Sequence, residues 1–419
     1  MTMVTAPAGV RAASAAARID PAAVVDLTCE LVRLRTVHDD GAKAVETAAA
    51  DRIAAVMRGF GWQVDITEVS PGRPNVVGIV TGARPGRTLL FEGHTDVVTE
   101  GDPALWAFDP YAGDVVDGVV RGRGSADMKG GVAAMLHAAH AVQQQGFDGR
   151  IVVAALADEE GMMLGAKAFA RTELARSGID GVIVCEPEAG EICATAKGAL
   201  RIRIALTGAM AHGAMPTAGR NPVPALGALL TGLADLQLHI QQQAGPHPEL
   251  GDFYLTPTVV QAGSPPQQNV IPATADVYLD VRTTPRTPHP EVIDAVWSVA
   301  QRSVEASQLA ADVEVIDDRP PVDTPRSARV VQALARAHQR ITGSAPVYGG
   351  VPGTTDGTIL TRDAGLATVV YGPGGKWIAH QVDEVCAVED ILTAARVYAE
   401  AAELFLAHDG EPTDAGGTT

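Results

Sequence analysis

The sequence is short of aromatic residues and of basic side chains, and each shortage excludes a class of protein. Aromatic residues make up 4% of the 419 residues, so the aliphatic part of the 46% hydrophobic content must pack the core. The 32 basic against 50 acidic residues give a formal charge of −18. This balance argues against a general nucleic-acid binder and against a protein that docks on anionic membranes, because both need basic faces.

Cysteine pairs and long apolar runs are also missing. The chain has four cysteines, none of them in a C-x-x-C pair: Cys29, Cys185, Cys193 and Cys386. We therefore expect reduced core thiols in a cytoplasmic protein. No stretch of 18 apolar residues occurs, which predicts no transmembrane helix. Residues 1–18 lack the apolar centre of a signal peptide, and we expect them and the tail from about Asp409 to be disordered.

Strand and helix patterns alternate through the first half of a chain that is long enough for two domains. Asp20 followed by Pro21 predicts a helix start, with the helix reaching about Leu34. Further helices are predicted near 43–60, 129–145 and 164–176, and strands near 62–68, 74–80, 87–92, 151–157 and 181–185. This alternation indicates an α/β domain with a mixed, largely parallel sheet.

The pattern changes after Lys197 and Gly198. Residues 200–206 alternate with period two, as a half-exposed strand does. The order strand, helix, strand, strand, helix, strand then predicts an inserted α+β, ferredoxin-like domain over 199–317. Pro320 and Pro321 mark the return to the first domain. Helices near 326–342 and 387–406 and a strand near 366–371 follow, so the α/β domain is predicted to comprise residues 1–198 and 318–419.

Acidic and histidine side chains follow apolar strands or glycine-rich turns at several separate places. These residues are His94 with Asp96, Asp127, Glu159 with Glu160, Glu186, and His380. Two adjacent carboxylates at the end of a buried strand are costly unless a positive charge meets them. Histidine nitrogen and carboxylate oxygen are ligands that suit Zn²⁺, Mn²⁺ or Co²⁺. Each residue alone is also typical of a helix cap or a solvated turn, but together they predict a hydrolytic metal centre.

Residue types also indicate roles within such a centre. His94 and Asp96 lie on one side of an extended segment, so we expect His94 to bind metal while Asp96 accepts the proton of its other ring nitrogen. Asp127 has two oxygens with which to bridge two cations. Glu159 is the extra carboxylate, which can take a proton from water and return it to a leaving amine.

These segments, in this order, resemble the co-catalytic metallopeptidase family of acetylornithine deacetylase, succinyl-diaminopimelate desuccinylase, aminoacylase and the glutamate-releasing carboxypeptidase. The resemblance covers about residues 20–406, and its motifs are residues 93–98, Trp106, residues 109–110, 121–131, 158–161, 185–187, 372–374 and 379–380. It implies one metal held by His94, Asp127 and Glu186. A second would be held by Asp127, Glu160 and His380.

The same resemblance implies one or two divalent ions per subunit, usually zinc, with cobalt or manganese able to replace it. Asp96 would orient His94, and Glu159 would be the general acid and base. Position 186 is Glu where several members of the family have Asp. Met162 and Met163 stand where small or polar residues are commoner, and either an apolar pocket wall or core filling would explain them.

The inserted domain carries motifs that resemble the family's lid and dimerisation domain. Residues 208–216 and 219–222 imply that His212 reaches the active site of the other subunit of a homodimer and helps to hold the developing oxyanion. The alternative for His212 is a surface histidine at a strand end.

Further residues match substrate-binding positions of the family. Asn269 and Arg282 imply contacts to a substrate carboxylate or oxyanion, because a guanidinium pairs two N–H groups with two oxygens. The alternative for Arg282 is a salt bridge to a nearby acid. Residues 353–357 resemble a pocket loop in which Gly353 and Thr354 would contact substrate, although such residues also form ordinary turns.

The expected reaction is hydrolysis of the amide of an N-acyl amino acid or small peptide-like carboxylate, of the deacylase, desuccinylase or carboxypeptidase type. The expected partner is thus a small-molecule carboxylate, with no nucleic acid and no membrane. One alternative keeps the metal site and releases ammonia from an aromatic amino acid such as a nitroanthranilate. A non-catalytic binding protein is the other alternative, but it would be expected to lack Glu159 or a metal ligand, and all are present.

Overall fold

The computed structural model describes residues 14–37 and 45–408. Its α-helices are α1 (Pro21–Val32), α2 (Thr47–Gly59), α3 (Gly130–Gln145), α4 (Leu164–Phe169), α5 (Glu173–Ser177), α6 (Val223–Ala244), α7 (His289–Val304), α8 (Arg329–Thr342), α9 (Asp356–Ala364) and α10 (Val388–Leu406). Its strands are β1 (Gln63–Ser70), β2 (Arg73–Thr81), β3 (Thr88–His94), β4 (Asp114–Val116), β5 (Val119–Arg121), β6 (Arg150–Leu156), β7 (Gly181–Val184), β8 (Ile192–Ala196), β9 (Gly198–Thr207), β10 (Ala211–His212), β11 (Tyr254–Ala262), β12 (Val270–Ile271), β13 (Thr274–Thr283), β14 (Ala310–Arg319), β15 (Val322–Asp323), β16 (Tyr348–Val351), β17 (Thr368–Val370) and β18 (Val385–Ala387).

The chain divides into two compact units. The first comprises Met1–Ile192, Arg326–Val347 and Ala364–Thr419, and the second comprises Cys193–Pro325 and Tyr348–Asp363. The insert that the sequence predicts at 199–317 lies inside the second unit, which begins a few residues earlier, ends a few later and also includes the segment around β16 and α9.

The first unit contains a mixed sheet in the order β1, β2, β6, β3, β7, β17. β6, β3, β7 and β17 run parallel to one another, whereas β2 pairs antiparallel with both β1 and β6. The residues of β6 after Arg150 are all buried, as expected of a central strand in a parallel sheet. The predicted α/β class with a largely parallel sheet is confirmed.

Alanine replaces aromatic residues in much of this core. α3 and α10 pack against each other, and both are rich in buried alanine. Small side chains allow backbones to approach closely, and Gly131 in α3 is the extreme case. A Cβ atom at Gly131 would lie 2.1 Å from the carbonyl oxygen of Cys185, directly after β7. This contact sets the distance between α3 and the end of a central strand.

The second unit is built on an antiparallel sheet in the order β11, β13, β9, β14. Side chains of α6 and α7, including Leu229, Leu233 and Val296, form one hydrophobic core with the inward residues of this sheet. β9 alternates between buried and half-exposed residues, as its sequence predicts. The strand order and the two helices give the ferredoxin-like α+β arrangement that the sequence predicts. Smaller pairings in this unit join β10 with β12 and β8 with both β15 and β16.

Most predicted elements are confirmed, and the differences have local causes. The Asp20 side chain accepts hydrogen bonds from the N–H groups of Ala22 and Ala23, as expected of the cap of α1. The single helix predicted over 164–176 is two helices, because Thr172 caps a new start for α5. β4, β5 and β18 were missed because three residues are too few to show a period. α9 was missed because its start at Asp356 lies in a Gly- and Thr-rich segment that is typical of turns.

The expectation of a disordered lead-in over residues 1–18 is wrong for its last part. Ala15–Arg18 form a short 3₁₀ helix, and the N–H of Ala15 donates to Oε2 of Glu403 at 3.2 Å. Residues 1–13 and the tail from Asp409 lie outside the described residues. One described helix, α6, is long and apolar enough by composition to cross a membrane. Its buried leucines belong to the core of the second unit.

We predict that Gly131→Ala lowers the thermal unfolding temperature, because the new methyl group must displace either α3 or the end of β7. Overpacking of this kind costs about 1–3 kcal/mol. Gly227→Ala is the matched control, since Gly227 also lies in a helix but a Cβ there meets nothing within 4 Å. That change should stabilise by about 0.5–1 kcal/mol. Calorimetric melting of both variants tests the packing, and an unchanged or raised melting temperature for Gly131→Ala would contradict it.

Candidate metal centre

The carboxyl ends of the parallel strands bring the predicted ligands to one edge of the sheet of the first unit. His94 is the last residue of β3, Glu159 and Glu160 follow β6, and Glu186 follows β7. His380 lies in the segment after β17. Parallel strands end at the same edge, and in α/β proteins this edge is the usual location of a functional site.

One ligand group consists of His94, Asp127 and Glu186. Nε2 of His94 lies 3.1 Å from Oδ1 of Asp127 and 3.3 Å from Oε1 of Glu186. His94 and Glu186 are buried, and Asp127 is half-buried. One potential ligand atom from each residue lies within 4.8 Å of the others, which is the spacing that a shared cation needs.

The other ligand group consists of Asp127, Glu160 and His380. Nε2 of His380 lies 3.0 Å from Oε1 of Glu160 and 3.4 Å from Oδ2 of Asp127. Asp127 therefore presents one oxygen to His94 and the other to His380. A carboxylate placed in this way can bridge two cations. Glu159 completes the cluster, since one of its carboxylate oxygens lies within 4.8 Å of ligand atoms of His94 and Glu160.

The electrostatics of this cluster favour added positive charge. Burial raises the pKa of Glu186 to about 8 and also raises the pKa of Glu160. Hydrogen bonds to Asp127 and Glu160 raise the pKa of His380 to about 10. Burial would lower the pKa of His94, but the charge of Glu186 and the hydrogen bond to Asp127 hold it well above its usual range. Against the effect of burial, hydrogen bonds from His380 and His94 hold the pKa of Asp127 below its usual range.

The donor set fits divalent cations. When all three carboxylates are ionised, they leave a negative excess even with both imidazoles charged, and burying such an excess without a cation is costly. Imidazole nitrogen with carboxylate oxygen and no thiolate is a ligand set of Zn²⁺, Mn²⁺ and Co²⁺. The protons that these groups hold are the ones that a bound ion would replace.

The Asp96 carboxylate has contacts beyond its predicted role of orienting His94. Nδ1 of His94 is 2.9 Å from the backbone carbonyl oxygen of Asp96, whereas the Asp96 carboxylate is 3.5 Å away. Instead, Oδ1 of Asp96 accepts the N–H of Glu159 at 3.0 Å, and Oδ2 accepts the N–H of Glu160 at 3.1 Å. The backbone carbonyl thus takes the main share of orienting His94, and the carboxylate fixes the loop that carries Glu159 and Glu160.

A second anchor of this loop was missed from the sequence. The Asp158 side chain accepts hydrogen bonds from the N–H groups of Met162 and Leu164 and pairs with the guanidinium of Arg73. Arg73 also lies 3.5 Å from Glu46, whose other oxygen accepts the hydroxyl of Thr95. The sequence did not predict this network, because Arg73 and Glu46 lie far from the loop along the chain.

The predicted residues of the second unit have simpler surroundings. His212 is exposed on β10, where Nδ1 accepts the N–H of Ala214 at 3.1 Å. Asn269 is exposed, and its carbonyl oxygen accepts the N–H of Gly213 at 2.7 Å, so it lies beside His212. Arg282 makes a two-point pair with Asp280, at 2.8 and 3.2 Å. The salt bridge that the sequence left open for Arg282 is therefore present.

The remaining positions divide between surface and core. Gly353 and Thr354 are half-buried and lie directly before α9. Met163 is 1% exposed, whereas Met162 is 45% exposed. Of the two explanations for this pair, core filling holds for Met163. Met162 lies on the surface, two residues after Glu160.

Comparisons with known proteins identify the family and the fold. The profile described as Peptidase family M20/M25/M40 matches residues 90–404. The chain is 30% identical over 405 residues to succinyl-diaminopimelate desuccinylase 2 of Ruegeria sp. (strain TM1040). The alignment covers 94% of this chain and 97% of that protein.

Two solved structures show the same fold at 18% sequence identity. The aminopeptidase PepT from Bacillus cereus superposes with a TM-score of 0.74 over 92% of this chain and 99% of its own. A dinuclear metal-binding peptidase of the M20 family from Bacillus subtilis superposes with a TM-score of 0.70 over 92% of this chain and 98% of its own.

We predict that Asp96→Asn lowers kcat and metal affinity by about 10–100-fold, the usual cost of removing a partner that orients ligands. The amide of Asn has a single acceptor oxygen, so it cannot hold the N–H groups of both Glu159 and Glu160. Metal content after dialysis and steady-state kinetics measure the effect, with Asp294→Asn on the exposed face of α7 as the control. Retention of full activity would mean that Asp96 does not position the loop.

Proposed function

This chain belongs to peptidase family M20/M25/M40 and is a hydrolase of amide bonds, and from that premise we propose that it cleaves an N-acyl amino acid or a small peptide-like carboxylate. The observation that carries the proposal is the position of Glu159, beside two ligand groups that share Asp127. A carboxylate in this position is placed to act as a base next to bound cations.

We assign His94, Asp127 and Glu186 to one divalent ion and Asp127, Glu160 and His380 to the other, with both sites filled in the active protein. Zinc is the ion that we propose, and manganese or cobalt should replace it. When bound, such ions polarise a substrate carbonyl and make water a better nucleophile near neutral pH. The ligand side chains themselves keep the two positions apart through the two oxygens of Asp127.

Glu159 is the proposed proton carrier. Its carboxylate takes a proton from the attacking water and returns it to the nitrogen of the leaving amine. The bond from its N–H to Asp96 keeps its backbone fixed during this exchange. Because Glu159 is 8% exposed, bulk water does not compete freely for that proton.

His212 is the proposed donor to the oxyanion. Its Nδ1 accepts a backbone hydrogen bond, so the neutral ring carries its proton on Nε2, where it can be donated to a developing negative charge. Asn269 lies next to His212 and contributes an amide to the same task. Such donors act where charge develops in the transition state.

The proposed substrate carries a carboxylate. The desuccinylase from Ruegeria, by its name, removes a succinyl group, and this supports an acyl amino acid as the substrate here. We assign Gly353 and Thr354 to the pocket wall and Arg282 to the carboxylate. Since Arg282 already pairs with Asp280, a substrate carboxylate must displace or share that partner.

We predict that Glu159→Gln keeps its metal content and loses about 10²–10⁴ in kcat, the usual contribution of a general base. The amide preserves the shape of the side chain but cannot take a proton. Metal analysis and turnover are measured on the same preparations, with the exposed Glu305→Gln as the control. A Glu159→Gln protein that retains most of its activity refutes the assignment.

The bond that is cleaved can be tested with the unmodified enzyme. Protein loaded with zinc, manganese or cobalt is offered N-succinyl amino acids, N-acetyl amino acids, dipeptides and a nitroanthranilate. Release of the acyl group or amino acid and release of ammonia are both measured. We expect release of the acyl group or amino acid, abolished by a chelator and restored by added metal. Ammonia from the nitroanthranilate as the main product would establish the aminohydrolase alternative instead.

We further propose that the protein is a cytoplasmic homodimer. The four cysteines are buried and form no disulfide among the described residues, as expected in a reducing compartment. β11 lies at the edge of its sheet, and every residue from Thr256 to Ala262 is exposed. Val259 and Val260 are 41% and 48% exposed, and an apolar edge strand of this kind invites pairing with a second copy.

We predict that Val260→Asp converts the dimer to a monomer, because it places a charge in the proposed contact. Light scattering after gel filtration measures the mass of both forms. Val115→Asp is the control, since Val115 is 46% exposed on β4 in the first unit. A monomeric wild-type protein, or a Val260→Asp protein that stays dimeric, contradicts this surface.

A further inference from the structure

Glu384 is a buried acid with an unusual set of partners. Its side chain is fully buried, and Oε1 accepts three backbone hydrogen bonds, from the N–H groups of Gly124 at 3.0 Å, Ala126 at 3.0 Å and Asp127 at 3.1 Å. All three donors belong to the turn that carries Asp127. Glu384 also follows His380 by only four residues, so it links the segments that carry two ligands of one group.

Arg123 completes the charge balance of this site. Its NH1 group lies 2.5 Å from Oε2 of Glu384, and its side chain is 2% exposed. The guanidinium also lies over the ring of Trp106 at 5.2 Å. A paired and fully hydrogen-bonded carboxylate of this kind holds one geometry, because any shift leaves a buried charge without partners.

Backbone hydrogen bonds also join the segment before Asp127 to the segment that contains Glu384. The N–H of Gly122 donates to the carbonyl oxygen of Glu384 at 3.0 Å. Directly after Glu384, β18 pairs with β5 so that Val385 lies opposite Arg121. These contacts fix where Glu384 stands, and its side chain then fixes the amides of the Asp127 turn.

We propose that Glu384, balanced by Arg123, is a positioning residue that sets the Asp127 carboxylate between His94 and His380. This inference rests on the proposed function, in which Asp127 would help to hold two ions. A general role in folding would need only the ion pair and the strand pairing. The three amide bonds, one of them from Asp127 itself, are directed at the ligand turn and indicate control of the metal geometry.

The test compares Glu384→Gln and Glu384→Asp with wild-type protein, using Zn²⁺ and Co²⁺ alone as probes. Affinity for both ions is measured by competition with a chelator, and the visible absorption of the cobalt-loaded protein reports the ligand geometry. We expect both ions to bind about 10–100-fold more weakly, as on loss of other ligand-orienting contacts. The cobalt bands should shift, and kcat at saturating metal should fall more than KM changes.

Glu400→Gln is the matched control. Glu400 is also a buried acid paired with an arginine, Arg340 at 2.8 Å, but this pair joins α10 to α8 and not to the ligand turn. This variant should lose thermal stability while keeping wild-type metal affinity and cobalt absorption. The comparison separates loss of an ion pair from loss of ligand position.

Glu384→Gln leaves Arg123 as an unpaired buried charge, which can prevent folding. If this variant does not fold, the same measurements are made on Glu384→Asp. Aspartate keeps the charge opposite Arg123 but is one methylene too short to keep all its bonds. Wild-type affinity and spectrum in any folded Glu384 variant would overturn the positioning role. Failure of the wild-type protein to bind either ion would instead defeat the proposed function on which this role rests.

Discussion

The whole site depends on one carboxylate that two imidazoles share. Oδ1 of Asp127 faces His94 and Oδ2 faces His380, so the two ligand groups meet at a single carboxyl group. The ends of β3, β6 and β7 and the segment after β17 bring the other ligands near those two oxygens. The parallel strands supply a common edge, and the negative excess collected there makes cations the natural complement.

Around this carboxylate the protein uses one device repeatedly. Asp96 holds the amides of Glu159 and Glu160, Asp158 holds the amides that follow them, and Glu384 holds those of the Asp127 turn. In each case a buried carboxylate accepts backbone N–H groups of a loop that carries or adjoins acidic side chains of the site. Each loop is therefore fixed through its backbone, which does not compete for the metal.

The sequence predicted the elements and the ligands better than the contacts between them. Apolar strands that end in acid or histidine were recognisable, so His94, Glu160, Glu186 and the α/β class could be inferred. The atom that accepts the proton of the His94 ring could not be inferred, because the backbone carbonyl and the carboxylate of Asp96 belong to the same residue and the sequence does not distinguish them. Long-range partners such as Arg73 with Asp158 and Arg123 with Glu384 carry no local signal, since only the folded topology brings them together.

Ligand order along the chain has a consequence for assembly during synthesis. His94, Asp127 and Glu186 are all translated before the second unit begins, whereas His380 and Glu384 come near the end of the 419 residues. A nascent polypeptide can therefore possess one complete set of ligands while the ribosome is still making the rest. The other set, and the Glu384 carboxylate that holds the Asp127 turn, exist only once almost the entire chain has emerged, so neither ion position is fully formed until synthesis is nearly complete.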